Sequence, residues 1–208
     1  SPMAPFGGIK DSGYGKEAGI ESIVLVSGYQ SQKIEDYARE LAKMYLIPIE
    51  IIFNPFWDHC NVLGSFYLSL EAINDDFIFL HADTLSSREV VDGLVASMSD
   101  ACLAVDLKQC GEEEMKVWLN GNQVKRITKS EIGYEADGEF VGIAKFSSSM
   151  IAYFRDESRT IFKSGTLDSY MEEVLDNGLR KDSLLVDYFD VSEYPTIEVD
   201  FIEDLQDL

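Results

Sequence analysis

The chain has 208 residues, 46% of them apolar, and its 38 acidic against 17 basic residues give a formal net charge of −21. This length and composition predict one domain with a sizeable core, and no run approaches the ~18 apolar residues that cross a bilayer. The charge argues against nucleic acid as a partner, because phosphate contacts need Lys and Arg, and it disfavours anionic membranes.

The cysteines indicate a reducing compartment. Cys60, Cys102 and Cys110 are odd in number and show no C-x-x-C spacing, which argues against a structural zinc site or a disulfide framework. The N-terminus has no secretory pattern, so we expect a cytoplasmic location. The sequence leaves open whether the protein forms a homo-oligomer.

Residues 1–19 are rich in Gly and Pro and predict a loop, after which strands and helices alternate. Strands are predicted at Ile23–Val26, Ile49–Phe53, Phe77–Leu80 and Cys102–Val105, and helices at Ile34–Tyr45, Val62–Ile73 and Glu89–Met98.

The second half of the chain changes character. Asn120-Gly121-Asn122 predicts a hairpin between Met115–Leu119 and Gln123–Ile127. A strand at Phe140–Phe146, helices at Ser149–Phe162 and Leu167–Asn177, and strands at Leu184–Val191 and Thr196–Val199 follow. The pattern predicts an α/β fold with a mostly parallel sheet, helices on both faces and an antiparallel hairpin annex.

The short apolar run Phe77–Leu80 predicts a strand interior to that sheet, buried on both faces. It delivers His81 and Asp83 to the carboxyl end of the strand, where open α/β sheets bind ligands. Asp83 is then a ligand for a divalent cation, or else a loop acid or the N-cap of a helix that begins near Ser86 or Ser87.

Seven segments follow one another along the chain: Gly19–Tyr29 with its Gly-Tyr turn, Asn54-Pro55 with Asn61 and Ser65, Phe79–Asp83, Met115–Lys129, Gly138–Ile143, Tyr170–Leu175 and Glu198–Leu205. In this order they resemble the nucleotidyltransferase family that activates sugar phosphates and phosphocholine. The resemblance implies a Rossmann-like nucleotidyltransferase domain over residues 20–208, incomplete at its N-terminus. It implies transfer of a nucleotidyl group, CMP from CTP being favoured, to a small phosphorylated or phosphonylated acceptor.

The resemblance also implies a set of site residues. Asp83 and Asp200 would bind one Mg²⁺ and, with the phosphate-binding Lys129, form the catalytic group. Asp200 could instead be a surface acid, and Lys129 could be a lysine at the hairpin edge.

Two further groups of residues would bind the substrates, and each has a plainer interpretation. The nucleotide-binding residues would be Gly28, Asn61 and Ser65, although Asn61 could equally be an N-cap. The acceptor-binding residues would be Glu139, Glu172 and Tyr170, since a carboxylate and an aromatic ring suit an amine head group. Glu139 and Glu172 could instead belong to a polar surface. The histidines are expected to be structural.

The chain departs from the family pattern at its start. The family's first strand and its triphosphate-binding loop are absent, and Pro5–Gly19 resembles a segment near the C-terminus of aldehyde dehydrogenases. We interpret residues 1–19 as a junction, although Lys10 and Lys16 could mimic a phosphate loop. The expectation is therefore weak or no turnover of CTP and phosphocholine.

Two other functions remain open. One is a non-catalytic homologue that binds nucleotide weakly. The other is a family-two glycosyltransferase, since "LHADT" at Leu80–Thr84 also fits that family. The second acid usual there is replaced by Thr84 and Leu85.

Overall fold

The structure is a computed structural model that describes residues 20–199, so residues 1–19 and Asp200 lie outside it. The elements are β1 Ile23–Ser27, α1 Ser31–Tyr45, β2 Ile49–Phe53, α2 Val62–Ser69, β3 Phe77–Leu80, β4 Thr84–Ser86, α3 Arg88–Ala96, β5 Ala101–Asp106, β6 Lys116–Asn120, β7 Gln123–Thr128, β8 Gly138–Phe146, α4 Met150–Lys163, α5 Met171–Arg180, β9 Asp187–Asp190 and β10 Thr196–Glu198. None of the described helices combines the length and apolar composition that a membrane crossing needs. The three cysteines are free.

The described residues form two compact units. The first contains Asp76–Ser147 and 175–199. Its six-stranded sheet has the order β3-β8-β5-β9-β7-β6, in which β6 also pairs with the start of β8. Strands β5 and β9 are parallel, and the other pairs in this sheet are antiparallel. Strands β4 and β10 form a separate antiparallel pair.

Helix α3 covers one face of this sheet. Its apolar positions Val90 and Leu94 are one turn apart and fully buried, where they pack with Ala104 of β5 and Ile143 of β8. Glu89 in the first turn suits the positive end of the helix dipole. The core of the unit therefore lies between α3 and the middle of the sheet.

The second unit contains residues 20–75 and Ser148–Val174. Strands β1 and β2 are parallel and are joined through α1, which turns its buried Ala38 and Leu41 inward. Helix α2 packs on β1 and on α4, where the rings of Phe66 and Phe154 meet edge to face at 5.0 Å. This βαβ arrangement brings the carboxyl ends of β1 and β2 together.

The α/β class and the hairpin after Met115 are confirmed, but the predicted preponderance of parallel pairing is wrong. Only β1–β2 and β5–β9 pair in parallel among the described residues, because the nine-residue β8 runs antiparallel to both of its main neighbours. The interior position predicted for Phe77–Leu80 is also wrong within residues 20–199. There β3 is the terminal strand, and Leu80 is 44% exposed.

Candidate functional site

The turn after β3 holds the first group of predicted site residues. The amide of His81 donates to the carbonyl of Gly142 in β8 (2.9 Å), and the amide of Thr84 donates to the carbonyl of His81 (3.2 Å). These bonds fix the turn to the sheet, with Thr84 buried and Asp83 exposed to solvent. Asp83 is therefore presented at the carboxyl end of the strand, as predicted, but beside β8.

The C-terminal segment reaches the same turn. Strand β10 pairs with β4, and beyond it the amide of Val199 donates to the carbonyl of Asp83 at 2.9 Å. Val199 is the last described residue, and the predicted metal ligand Asp200 lies outside the described residues. The structure thus shows that the chain immediately before Asp200 is bonded to the main chain of Asp83.

His81 lies at the centre of this group. Its half-buried ring contacts the rings of Phe79 and Phe140, with centroids 5.1 and 6.2 Å away. Burial lowers the pKa of His81, and Asp83 opposes this shift whereas Lys129 reinforces it. The structure therefore brings the predicted catalytic residues Asp83 and Lys129 into electrostatic range of one imidazole, which stays neutral at pH 7.

Gly142 makes the close packing around His81 attainable. Its φ of +77° is a left-handed conformation that favours glycine. A Cβ built on it would lie 2.8 Å from His81 Nδ1 and 2.9 Å from Thr84 Oγ1. The glycine at position 142 thus has a local steric reason.

The predicted acceptor residue Glu139 is ion-paired. Lys108 Nζ lies 2.6 Å from Glu139 Oε2 and 3.6 Å from Asp106 Oδ2. Burial by itself lowers the pKa of Lys108, but the hydrogen bond and charge of Glu139 outweigh it and raise that pKa. Glu139 is therefore not an isolated carboxylate: its side chain is 12% exposed and is paired with the exposed Lys108, so it is not an open polar-surface residue.

In the second unit, Asn61 is observed as the N-cap of α2. Its Oδ1 accepts from the amide of Val62 (2.8 Å), and its Nδ2 donates to Asp168 Oδ1 (3.1 Å). Ser65 Oγ accepts from Nδ2 of the buried Asn54 (3.1 Å). The structure therefore gives both predicted nucleotide-binding side chains a local structural role, and a role toward nucleotide stays a prediction.

Gly28 touches an aromatic surface that the sequence analysis overlooked. A Cβ on Gly28 would lie 2.3 Å from Cβ of Trp57, whose ring lies 5.4 Å from that of Tyr29. Phe53 and Phe56 are also more than half exposed here, at the carboxyl ends of β1 and β2. Glycine at position 28 is thus required by the approach of Trp57.

The two remaining acceptor candidates lie at the start of α5. Glu172 is only 1% exposed, so the polar-surface alternative is wrong for it. Tyr170 is half-buried, and its amide donates to Glu173 Oε1 at 3.2 Å. Both residues belong to the second unit, whereas Asp83, Lys129 and Glu139 belong to the first.

Residues 20–199 contain no group of three or more His, Cys, Asp or Glu side chains arranged for a metal ion. Sequence reasoning also passed over Lys116, which is 2% exposed although it is charged. The burial of Lys116 could have been suspected from the sequence, because it is a lysine inside the otherwise apolar run Met115–Leu119.

No protein-family model matches the chain, and no curated protein sequence matches it significantly. Solved structures, however, match its fold. It superposes on the inositol-1-phosphate CTP transferase of T. maritima with a TM-score of 0.72 and 18% identity, over 92% of this chain and 75% of that one. The CTP:phosphocholine cytidylyltransferase of Streptococcus pneumoniae gives a TM-score of 0.72 at 18% identity, over 93% and 79%. UDP-glucose pyrophosphorylase bound to UDP-glucose gives a TM-score of 0.66 at 12% identity, over 92% of this chain and 80% of that one.

The class of fold is therefore that of the nucleotidyltransferases, and it is Rossmann-like. Two of these three proteins are named for CTP and a phosphorylated partner, inositol 1-phosphate or phosphocholine, and the third is named for UDP-glucose.

Proposed function

We propose that this chain is a nucleotidyltransferase that transfers CMP from CTP to a small phosphorylated or phosphonylated acceptor, with phosphocholine as the first candidate, and releases pyrophosphate. We expect this turnover to be slow, because residues 1–19 do not match the family's triphosphate-binding loop. The fold supports the general reaction, and two of the three similar proteins named above use CTP. An oxygen of the acceptor phosphate attacks the α-phosphorus of the triphosphate. The bond from that phosphorus to the bridging oxygen of the leaving pyrophosphate breaks.

One observation supports this proposal beyond the fold: the charges of Asp83 and Lys129 both act on the pKa of His81, the residue that follows β3. The carboxyl end of a strand is where ligands bind in open α/β sheets. Lys129 supplies a cation for a substrate phosphate, and the neutral His81 adds no charge to the group. The protein forms no covalent bond with the substrates in this reaction. Its main contributions are to position the substrates and to stabilise the charge of the phosphates.

The proposal includes a divalent cation, for which Asp83 is the ligand that lies within the described residues. The exposed carboxylate of Asp83 is a hard oxygen ligand, and the structure records no ion pair for it within residues 20–199. Asp200 follows Val199, whose amide is bonded to the Asp83 carbonyl. Asp83 and Asp200 would hold Mg²⁺, which when bound neutralises phosphate charge.

For the acceptor, the ion pair with Lys108 leaves Glu139 poorly suited to a lone ammonium group. Glu172 and Tyr170 remain the candidates for an amine head group, because a carboxylate with an aromatic ring is what a quaternary ammonium needs. Glu139 with Lys108 better suits a neutral or phosphate part of the acceptor.

The test is pyrophosphate release by the purified chain with Mg²⁺ and each nucleoside triphosphate, using phosphocholine and sugar 1-phosphates as acceptors. Asp83→Asn and Lys129→Ala should each lower the rate by about 100-fold or more, because the first removes a charged ligand of Mg²⁺ and the second removes the cation that binds a substrate phosphate. Asp92→Asn is the matched control: Asp92 is an exposed acid on α3, paired with Arg88, and its loss should change the rate less than about twofold.

Absence of pyrophosphate with every triphosphate, at an enzyme concentration that detects slow turnover, would refute the proposal. Nucleotide binding without pyrophosphate would identify a non-catalytic homologue. Release of a nucleoside diphosphate from a nucleotide sugar would instead identify a glycosyltransferase.

A further inference from the structure

Lys116 is a charged side chain buried in the sheet. It is the first residue of β6, where it pairs with Thr128 of β7 on one side and with Glu139 of β8 on the other. Only 2% of the side chain is exposed. An ammonium group in such a position is costly unless surrounding oxygen atoms replace its water.

Three oxygen atoms surround this ammonium group. Lys116 Nζ donates to the carbonyl of Glu112 and to the carbonyl of Lys129, each at 3.0 Å, and lies 3.6 Å from the carboxylate of Glu131. Glu112 lies before β6, whereas Lys129 and Glu131 follow β7. One buried side chain therefore ties together two connecting segments that are distant in sequence.

The bond to the carbonyl of Lys129 has the most direct consequence. Lys129 is the first residue after β7, so its main chain is no longer held by the ladder of that strand. A hydrogen bond from a charged donor is roughly twice as strong as a neutral one. The bond from Lys116 therefore fixes the main chain of Lys129 at the point where the hydrogen bonds of the β7 ladder end.

We propose that Lys116 is a positioning residue: its buried ammonium group fixes the main chain at Lys129 and thereby fixes the point from which the Lys129 side chain extends. The catalytic part of this inference rests on the proposed function, whereas the structural part does not.

The structural part can be tested by trypsin, which cleaves the Lys129–Ser130 bond at the very carbonyl that Lys116 holds. Cleavage of a native protein follows the population of the locally opened state when opening is fast. Loss of a charged hydrogen bond corresponds to about 10–100-fold in such an equilibrium. Lys116→Met should therefore accelerate cleavage after Lys129 by about 10-fold or more, relative to cleavage after the exposed Lys163.

Three variants make this comparison specific. Lys125→Met is the matched control, because Lys125 lies in the same hairpin but is exposed and pairs with Asp182. It should leave cleavage after Lys129 unchanged. Lys116→Arg keeps the charge and should restore most of the protection. If Lys116→Met does not fold, Lys116→Gln, which keeps an amide donor, takes its place.

The catalytic part needs a measurement that general destabilisation would not imitate. In a double-mutant cycle on pyrophosphate release, Lys116→Met should lower the rate by about 10-fold in the wild-type chain but have little further effect in the Lys129→Ala chain. That non-additivity means that Lys116 acts through Lys129.

Each outcome decides the inference. Unchanged cleavage after Lys129 in Lys116→Met would overturn it outright. Faster cleavage with additive effects on the rate would overturn the positioning role. If the wild-type chain released no pyrophosphate, the proposed function would fall, but the trypsin comparison would still decide whether Lys116 holds the main chain of Lys129.

Discussion

Removing the carboxylate of Asp176 should destabilise the first unit far more than removing that of Asp182, although both bind basic residues of β7. Asp176 in α5 is 8% exposed and accepts three bonds: from Arg126 Nε (2.7 Å), Arg126 Nη2 (3.0 Å) and the amide of Ile127 (3.2 Å). Asp182 has one contact, 3.2 Å from Lys125 Nζ, and both of these side chains are more than half exposed.

The expected size of the effect follows from burial. Breaking a buried ion pair by deleting one partner costs about 3–5 kcal/mol, because the other charge is left without compensation. Arg126 is 25% exposed and can recover some water, so Asp176→Ala should cost about 3 kcal/mol. Asp182→Ala should cost less than about 0.5 kcal/mol, as exposed pairs usually do. In a chain of this size the first change lowers the melting temperature by about 6–12 °C.

The assay is urea unfolding followed by Trp118 fluorescence in a Trp57→Phe background. Trp118 is buried in β6 directly opposite Arg126, so it reports on this part of the sheet. Equal losses of unfolding free energy for Asp176→Ala and Asp182→Ala would show that burial of the Arg126 pair does not set its contribution, and the reasoning would fail.

Three smaller predictions concern the backbone and a tyrosine. Gly142→Ala should destabilise the protein more than Gly165→Ala in thermal unfolding, since both have positive φ but only position 142 meets neighbouring atoms. Burial raises the pKa of Tyr153 to about 12. Its contribution to the unfolding free energy is therefore complete below pH 10 and is lost as the pH rises through 12. Tyr153→Phe should remove this dependence of the unfolding free energy on pH. Gly28→Ala should displace Trp57 and change its fluorescence.

The elements with local signals could be predicted from the sequence. The Asn120–Asn122 turn and its flanking strands set the β6–β7 hairpin, and the run Phe77–Leu80 has the predicted bounds. Asp83 was found because a carboxylate after such a run ends at the edge of the sheet. These features depend on a few consecutive residues, which is why they can be identified in one sequence.

Pairing partners and ion pairs were not predictable in this way. An unbroken apolar run does not show that β3 would pair antiparallel with β8, about sixty residues later. Likewise nothing near Glu139 in sequence indicates its ion pair with Lys108, about thirty residues earlier. Each of these contacts depends on the order of strands in the sheet.

The lysines of the first unit show how an acidic chain can offer positive charge to a phosphate. The protein carries 38 acidic and 17 basic residues, so any cation near a phosphate site must be kept from its own carboxylates. Lys108 is paired with Glu139 and Asp106, and Lys116 is buried against main-chain carbonyls. Lys129 and Asp83 both act electrostatically on the pKa of His81, in opposite directions. Under the proposed function, Mg²⁺ at Asp83 and the ammonium group of Lys129 would both offset phosphate charge, so metal and lysine should act together rather than independently.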